Sequence, residues 1–288
     1  MTGVIDGILA GYDGSPGSAQ AVRWAAREAR ARGTTLDVCV AWTPDHIGPP
    51  TEAAICELAR QHGKEILSRG LPYAESALAP GQVRPVLASG SAARVLCERS
   101  RTAEMVVVGA RGHSELRGLR IGSVARQVAG FACGRVVVVR GPWRPANQSP
   151  GPIVAGVDGS PSSLAALRFA FEEAGLRAVP LVAVCALADA PGRLGESDLI
   201  AGEFGRAMDR LEQDHPEITI ARHVVAGSPR AAMLAMAADA QLLVVGGRGR
   251  GGFRGMRLGS LAQAVLDHTP CPVGVVHSSR TLSFRADR

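Results

Sequence analysis

A glycine-rich stretch that occurs twice at one spacing constrains this chain more than any other feature. It first reads Gly109-Ala110-Arg111-Gly112, then nine residues, then Gly122-Ser123. It returns as Gly246-Gly247-Arg248-Gly249, then nine residues, then Gly259-Ser260. Each copy follows a short apolar run rich in valine, Met105 to Val108 and Leu242 to Val245, and each leads into a helix-like segment. A loop between a strand and a helix start presents free backbone N–H groups and the positive end of the helix dipole, which together favour an anion. Phosphate is the natural guest.

The repeat extends beyond the loops. Gly11-Tyr12-Asp13-Gly14-Ser15-Pro16 matches Gly156-Val157-Asp158-Gly159-Ser160-Pro161 at an offset of 145, whereas the glycine loops match at an offset of 137. The eight-residue difference must fall between the two motifs, and the irregular stretches Thr43 to Gly81 and Ala188 to Ile218 are the place for it. The chain is a tandem duplication. With 288 residues it suits two domains, 1–142 and 151–288, joined by the linker 143–150, whose Pro145, Asn147, Ser149 and Pro150 have turn and loop composition.

Each copy alternates strand and helix. In the first, strands are expected over Val4 to Ala10, Leu36 to Trp42, Gln82 to Ala88, Met105 to Val108 and Arg135 to Arg140. The first helix is capped by Ser15 or Ser18, with Pro16 early and Gly33 past its end. Further helices are expected near 52–69, 92–101 and from Gly122. In the second copy strands are expected near 153–156, 181–186, 219–225, 242–245 and 273–277. Strands that are apolar on both faces and alternate with helices predict an α/β fold, two tandem doubly wound, Rossmann-like domains each with a five-stranded parallel sheet. Ligands of such sheets sit beyond the strand C-termini where the strand order reverses. The two richest loops follow the first and fourth strands of each copy, so those strands are expected to be neighbours.

Composition narrows the function. The net charge of +6 comes almost wholly from arginine, since Lys64 is the only lysine, and the arginines are spread along the chain. That pattern fits small anionic ligands and does not point to nucleic acid. No apolar run approaches the ~20 residues of a membrane span, and the N-terminus lacks the pattern of a signal peptide, so a cytoplasmic protein with no membrane partner is expected. The six cysteines form no Cys-x-x-Cys pair and read as buried free thiols, with no metal role. No Walker-type Gly-x4-Gly-Lys-Ser/Thr is present, and neither loop supplies a catalytic base positioned by a second group. No catalytic residue is therefore assigned.

The duplicated Gly-x-x-Gly, nine residues, Gly-Ser, following an Asp at the end of the first strand, resembles the ATP-binding pattern of the universal stress protein family. Ala240 to Gly246 before the second loop and Cys271-Pro272-Val273 before the last strand are similar to the family's flanks, whereas Cys133-Gly134-Arg135 departs from them in the first copy. The resemblance implies an ATP-binding, nucleotide-dependent stress-response protein without fast catalysis. The alternatives are a slow ATPase or adenylyl transferase of similar fold, and a nucleotide-free interaction scaffold.

By the same resemblance, Gly109, Gly112, Gly122 and Ser123, with Gly246, Gly249, Gly259 and Ser260, would hold the phosphates of ATP. Asp13 and Asp158 would lie near the ribose or a bound Mg²⁺, and the backbone of Ala41 and Ala186 would meet adenine. Gly11, Gly14, Arg111, His113 and Val124 complete the expected nucleotide-binding set of the first copy, and Gly156, Gly159, Arg248, Arg250 and Leu261 that of the second. For the glycines the alternative is a loop that needs positive φ. For the aspartates it is a purely local turn or cap. Arg111 and Arg248 either clamp phosphate or point to solvent, and His113 reads as an exposed loop histidine.

Two expectations concern the halves as a pair. The short apolar last strands, Val136 to Val139 and Gly274 to Val276, would offer a sheet edge for the two halves to pack as family dimers do, and a homodimer is possible. The second loop, with Arg248, Arg250, Arg254 and Arg257 and no acid, should attract phosphate more strongly than the first, where Arg111, Arg117 and Arg120 face Glu115.

Overall fold

The computed structural model describes residues 7–43, 52–113, 121–140, 151–187, 196–250 and 257–278. The chain divides into two compact units after Arg140. The first contains β1 (Gly7–Gly11), α1 (Pro16–Arg32), β2 (Thr35–Trp42), α2 (Glu52–Glu75), β3 (Val83–Ser89), α3 (Ala92–Arg99), β4 (Met105–Gly109), α4 (Ser123–Phe131) and β5 (Arg135–Val139). The second repeats the order as β6 (Ile153–Gly156), α5 (Pro161–Arg177), β7 (Leu181–Leu187), α6 (Glu196–Asp214), β8 (Ile220–Ala226), α7 (Pro229–Met236), β9 (Leu242–Gly246), α8 (Ser260–His268) and β10 (Val273–Val276).

Within the first unit the strands run β3-β2-β1-β4-β5, every pair parallel. The second unit repeats this as β8-β7-β6-β9-β10. Each chain path therefore leaves the central strand in one direction, then returns to build the other side. Residues Ile8, Leu9 and Ala10 in β1, Met105 to Val107 in β4 and Val136 to Val139 in β5 are all buried, because helices cover both faces. Contacts group α1 with α2 and α3 with α4 in the first unit, and α7 with α8 in the second.

Local chemistry sets the helix that follows the first strand of each unit. Ser15 and Ser160 are the N-caps, their Oγ atoms accepting the N–H groups of Ser18 at 3.2 Å and Ser163 at 3.3 Å. Pro16 and Pro161 occupy the first turn, where no amide donor is needed. At the other end Gly33 adopts φ 65° and returns its N–H to Ala29 and Arg30 carbonyls. Ala178 takes the same left-handed place in the second unit, at φ 51°.

The offset change falls between the second and third strands of each unit, within the stretches expected to carry it. Most of each stretch is helix rather than irregular chain, with 24 residues in α2 and 19 in α6. The expected strand 4–10 begins at Gly7 among the described residues, and the linker 143–150 lies outside them. Among the described residues no helix is long and apolar enough to cross a membrane. Cys39, Cys97, Cys185 and Cys271 are buried free thiols, and Cys56 and Cys133 are partly covered.

Candidate functional site

The reversal of strand order lies between β1 and β4 in the first unit and between β6 and β9 in the second. Register places the expected site residues around this crevice. Gly11 pairs with Cys39, so Asp13 and Ala41 lie two positions beyond that pair. Gly156 pairs with Val184, which puts Asp158 and Ala186 in the same relation.

The glycine loop is closed at its neck. The Gly122 N–H donates to the Ala110 carbonyl at 2.7 Å, and the Gly259 N–H donates to the Gly247 carbonyl at 2.8 Å. A Cβ at Gly122 would lie 3.7 Å from the Arg111 Cα and 3.8 Å from the Gly112 nitrogen. At Gly259 the corresponding distances are 3.5 Å to the Arg248 Cα and 3.5 Å to the Gly249 nitrogen. The start of α4 and of α8 is therefore held against the Gly-x-x-Gly backbone.

Both helices begin without a capping side chain and without an acid in the first turn. An α-helix leaves its first N–H groups without internal partners. Helices α1, α5 and α7 meet that need with Ser15, Ser160 and Ser228. The start of α3 also lacks a side-chain bond, so an uncapped helix alone does not mark a site. What distinguishes α4 and α8 is the Gly-x-x-Gly backbone against them, repeated in both units. Ser123, Val124 and Ser260 are exposed there, and Leu261 is half-buried.

The glycines divide by what surrounds them. None of Gly109, Gly112, Gly122, Gly246, Gly249 and Gly259 has positive φ, so conformational freedom is not why they are glycine. A Cβ at Gly109 would lie 2.6 Å from the backbone of Gly17, and one at Gly246 would lie 2.8 Å from the backbone of Ser162 and Ser163. These two let the fourth strand of each unit meet the first helix. A Cβ at Gly112 would lie 2.4 Å from Asp13 Oδ2, and one at Gly249 2.5 Å from Asp158 Oδ2. Only Gly122 and Gly259 have room in front of them, with nearest atoms at 3.4 Å and 3.5 Å. Gly14 and Gly159 do adopt positive φ, 86° and 75°, in the turn after the first strand.

Each aspartate joins the two loops. Asp13 Oδ1 accepts the Ser15 N–H at 3.0 Å while Oδ2 rests on Gly112. Asp158 Oδ1 accepts the Ser160 N–H at 3.0 Å, and Oδ2 accepts the Arg250 N–H at 3.0 Å. Burial pushes both carboxyls up, and the hydrogen bonds outweigh it. The Ser15 and Ser18 groups, with the charge of His113, hold Asp13 below the usual carboxylate value. At Asp158 the groups of Ser160 and Ser163 and the Arg250 N–H do the same. The local turn role is visible in these bonds.

Arg111 and His113 are exposed, and Arg248 is half-buried. Its carbonyl accepts the Ser160 hydroxyl at 3.2 Å, whereas Ser15 Oγ bonds Ser18 Oγ instead. The Arg250 guanidinium reaches the Asp158 carbonyl at 3.5 Å and Glu203 Oε2 at 3.4 Å. Glu203, on α6, was not among the expected site residues. Spacing within the loops could not reveal it, and the only available signal was its place, 137 positions after Ile66, in the aligned copies. Arg117, Arg120, Glu115 and Arg254 lie outside the described residues. Among the described residues no group of three His, Cys, Asp or Glu side chains is arranged to hold a metal.

This duplicated arrangement matches known proteins along nearly its whole length. The model of the universal stress protein family matches residues 5–140 and again 151–277. The chain belongs to the universal stress protein family. As a member it is 35% identical to a universal stress protein of Mycolicibacterium smegmatis, over 94% of this chain and 96% of that protein. It is 36% identical to a universal stress protein of Mycobacterium tuberculosis, over 93% of each. Its fold is also that of a universal stress protein from Archaeoglobus fulgidus, with a TM-score of 0.73 at 19% identity, covering 95% of this chain and 99% of the other.

Proposed function

We propose that this universal stress protein binds an adenine nucleotide, ATP, in each half and acts as a nucleotide-dependent regulator in the stress response. The observation that carries the reading is the pair of uncapped helix starts, α4 and α8, each closed against a Gly-x-x-Gly backbone at the strand-order reversal. The phosphates would rest on the N–H groups of the first turn and of Gly112 or Gly249, in front of Gly122 or Gly259. Adenine would lie toward Ala41 and Ala186, and ribose toward Asp13 and Asp158. Mg²⁺ accompanying the phosphates would find that aspartate beside the loop, and in the second unit Glu203 near it.

Hydrolysis needs an oriented water and charge compensation in the transition state, in addition to phosphate donors. We assign no residue to either task, so the protein is read as a binder whose turnover is slow. The test is to denature the purified protein and chromatograph the released small molecules, expecting ATP or a close relative at up to two per chain. Incubated with labelled ATP, the protein should leave most of it intact for many minutes. Turnover near ~1 per second, ordinary for an enzyme, would favour an ATPase or adenylyl transferase, and absence of any bound or bindable nucleotide would favour a scaffold.

A further inference from the structure

The two copies differ at the position where the second helix of each unit leans over the turn after the first strand. In the first unit a Cβ at Gly14 would meet the His113 ring nitrogen Nε2 at 3.3 Å and the Ile66 Cγ2 at 3.6 Å. In the second, a Cβ at Gly159 would meet Glu203 Oε2 at 2.7 Å and Arg250 Nη1 at 3.2 Å. Ile66 and Glu203 are equivalent, and their neighbours Leu67 and Phe204 are both buried. An alkyl group and an imidazole in one copy are thus replaced by a carboxylate and a guanidinium paired at 3.4 Å in the other.

We propose that Glu203 determines ligand selectivity at the second site, holding Arg250 in place of a phosphate and making that half favour adenine nucleotides of lower charge than the first half does. The inference rests on the nucleotide reading above. Arg250 is the residue directly after the second Gly-x-x-Gly, and its backbone N–H is already fixed on Asp158. Its guanidinium can turn toward a ligand only by leaving Glu203. Once it has left, the carboxylate remains beside Gly159 and repels each added phosphate charge. A triphosphate suffers more from this than a monophosphate. The first half has no carboxylate at this place, so its Ile66 is indifferent to ligand charge. Glu203 and Arg250 side chains are both more than a third exposed, so the pair is exchangeable and its effect moderate.

The test uses the full chain with one site silenced. Gly122→Asp leaves the second site, Gly259→Asp the first, and calorimetry gives Kd for ATP and AMP at each. The ATP-over-AMP preference should be lower at the second site. Glu203→Gln in the Gly122→Asp chain should tighten ATP by roughly 1.5- to fivefold and AMP by less, in the range of an exposed ion pair. With Arg250→Gln already present the gain should persist for ATP over AMP, because the carboxylate beside Gly159 still repels the added phosphate charge, and only the part due to release of the guanidinium should be lost. Conversely, Ile66→Glu in the Gly259→Asp chain should lower the ATP preference of the first site. If the Gly122→Asp chain binds ATP but Glu203→Gln leaves Kd unchanged, or shifts ATP and AMP by the same factor, the selectivity role is overturned and the nucleotide reading stands. If neither single-site chain binds either nucleotide while both keep their native circular dichroism and the unaltered chain also binds none, both inferences fail together.

Discussion

The two units share a backbone plan and differ in what stands over it. Both stitch the glycine loop shut with one N–H to carbonyl bond, both rest an aspartate on the second loop glycine, and both start the following helix uncapped. The side chains above the turn do not match: Ile66 and His113 on one side, Glu203 and Arg250 on the other. Duplication has kept the main-chain features that would position an anion and released the side chains that would tune it. Backbone donors depend on close approach, which admits few residue types, whereas a tuning position accepts any side chain that fits.

The sharpest way to break that comparison is to fill the open position. Gly122 and Gly259 sit at helix N-caps with φ −73° and −67°, where any residue is comfortable, and an added Cβ makes only ordinary contacts. Aspartate there should act as a cap, leaving stability unchanged or raised by about 0.3 kcal/mol, since glycine is itself a fair N-cap. Its carboxylate should lower ATP affinity of its own half roughly 100-fold or more, about 2.7 kcal/mol, measured by calorimetry. Loss of fold, or loss of binding in the opposite half, would contradict the separation of the two sites.

The next effect concerns the closely packed glycines. Gly109→Ala and Gly246→Ala force a Cβ to within 2.6 Å and 2.8 Å of helix backbone, which cannot step aside as a flexible side chain would. Each should destabilise its unit by ~1–3 kcal/mol in urea unfolding. Similar losses in the two units would support a shared backbone plan, and a null result in either would refute it there.

Acid should act on both aspartates. A carboxyl whose folded pKa is depressed stabilises the fold above its unfolded value, near 3.8, and that contribution is lost as pH falls through the folded value. The urea midpoint should therefore decline between about pH 5 and pH 3, and Asp13→Asn and Asp158→Asn should each flatten the decline. A slope unchanged by both substitutions would show that other carboxylates carry it.

The smallest effect lies at the C-caps. Ala178→Gly should stabilise the second unit by about 0.5–1 kcal/mol, and Gly33→Ala should cost the first a similar amount, because both residues occupy the left-handed region. Thermal unfolding of the pair of variants checks the signs.

Much of this was legible in the sequence because it is local or periodic. Ser15-Pro16 and Gly33 delimit α1, valine runs mark β4 and β5, and the change of offset from 145 to 137 locates the length difference between the second and third strands. Loop position after the first and fourth strands foretold their adjacency, which the pairing of Ala10 with Val107 realises. Less legible was why the glycines are glycine. Spacing cannot separate Gly109, pressed on the backbone of α1, from Gly122, which has space before it. Glu203 was illegible for another reason. The second loop shows no acid in sequence, and the fold supplies one from a helix 47 positions away. Its carboxylate already engages one of the arginines on which the expectation of stronger attraction rested.

The stitch from Gly122 N–H to the Ala110 carbonyl, and its twin from Gly259 to Gly247, would bear on how fast and how selectively the proposed ligand is captured. A recognition loop that must order itself around its guest loses affinity to that ordering and slows the encounter. Here the two ends that would carry the anion donors are fastened during folding. Because the tie joins main-chain atoms, it holds those ends at one spacing whatever side chains the two halves carry around them.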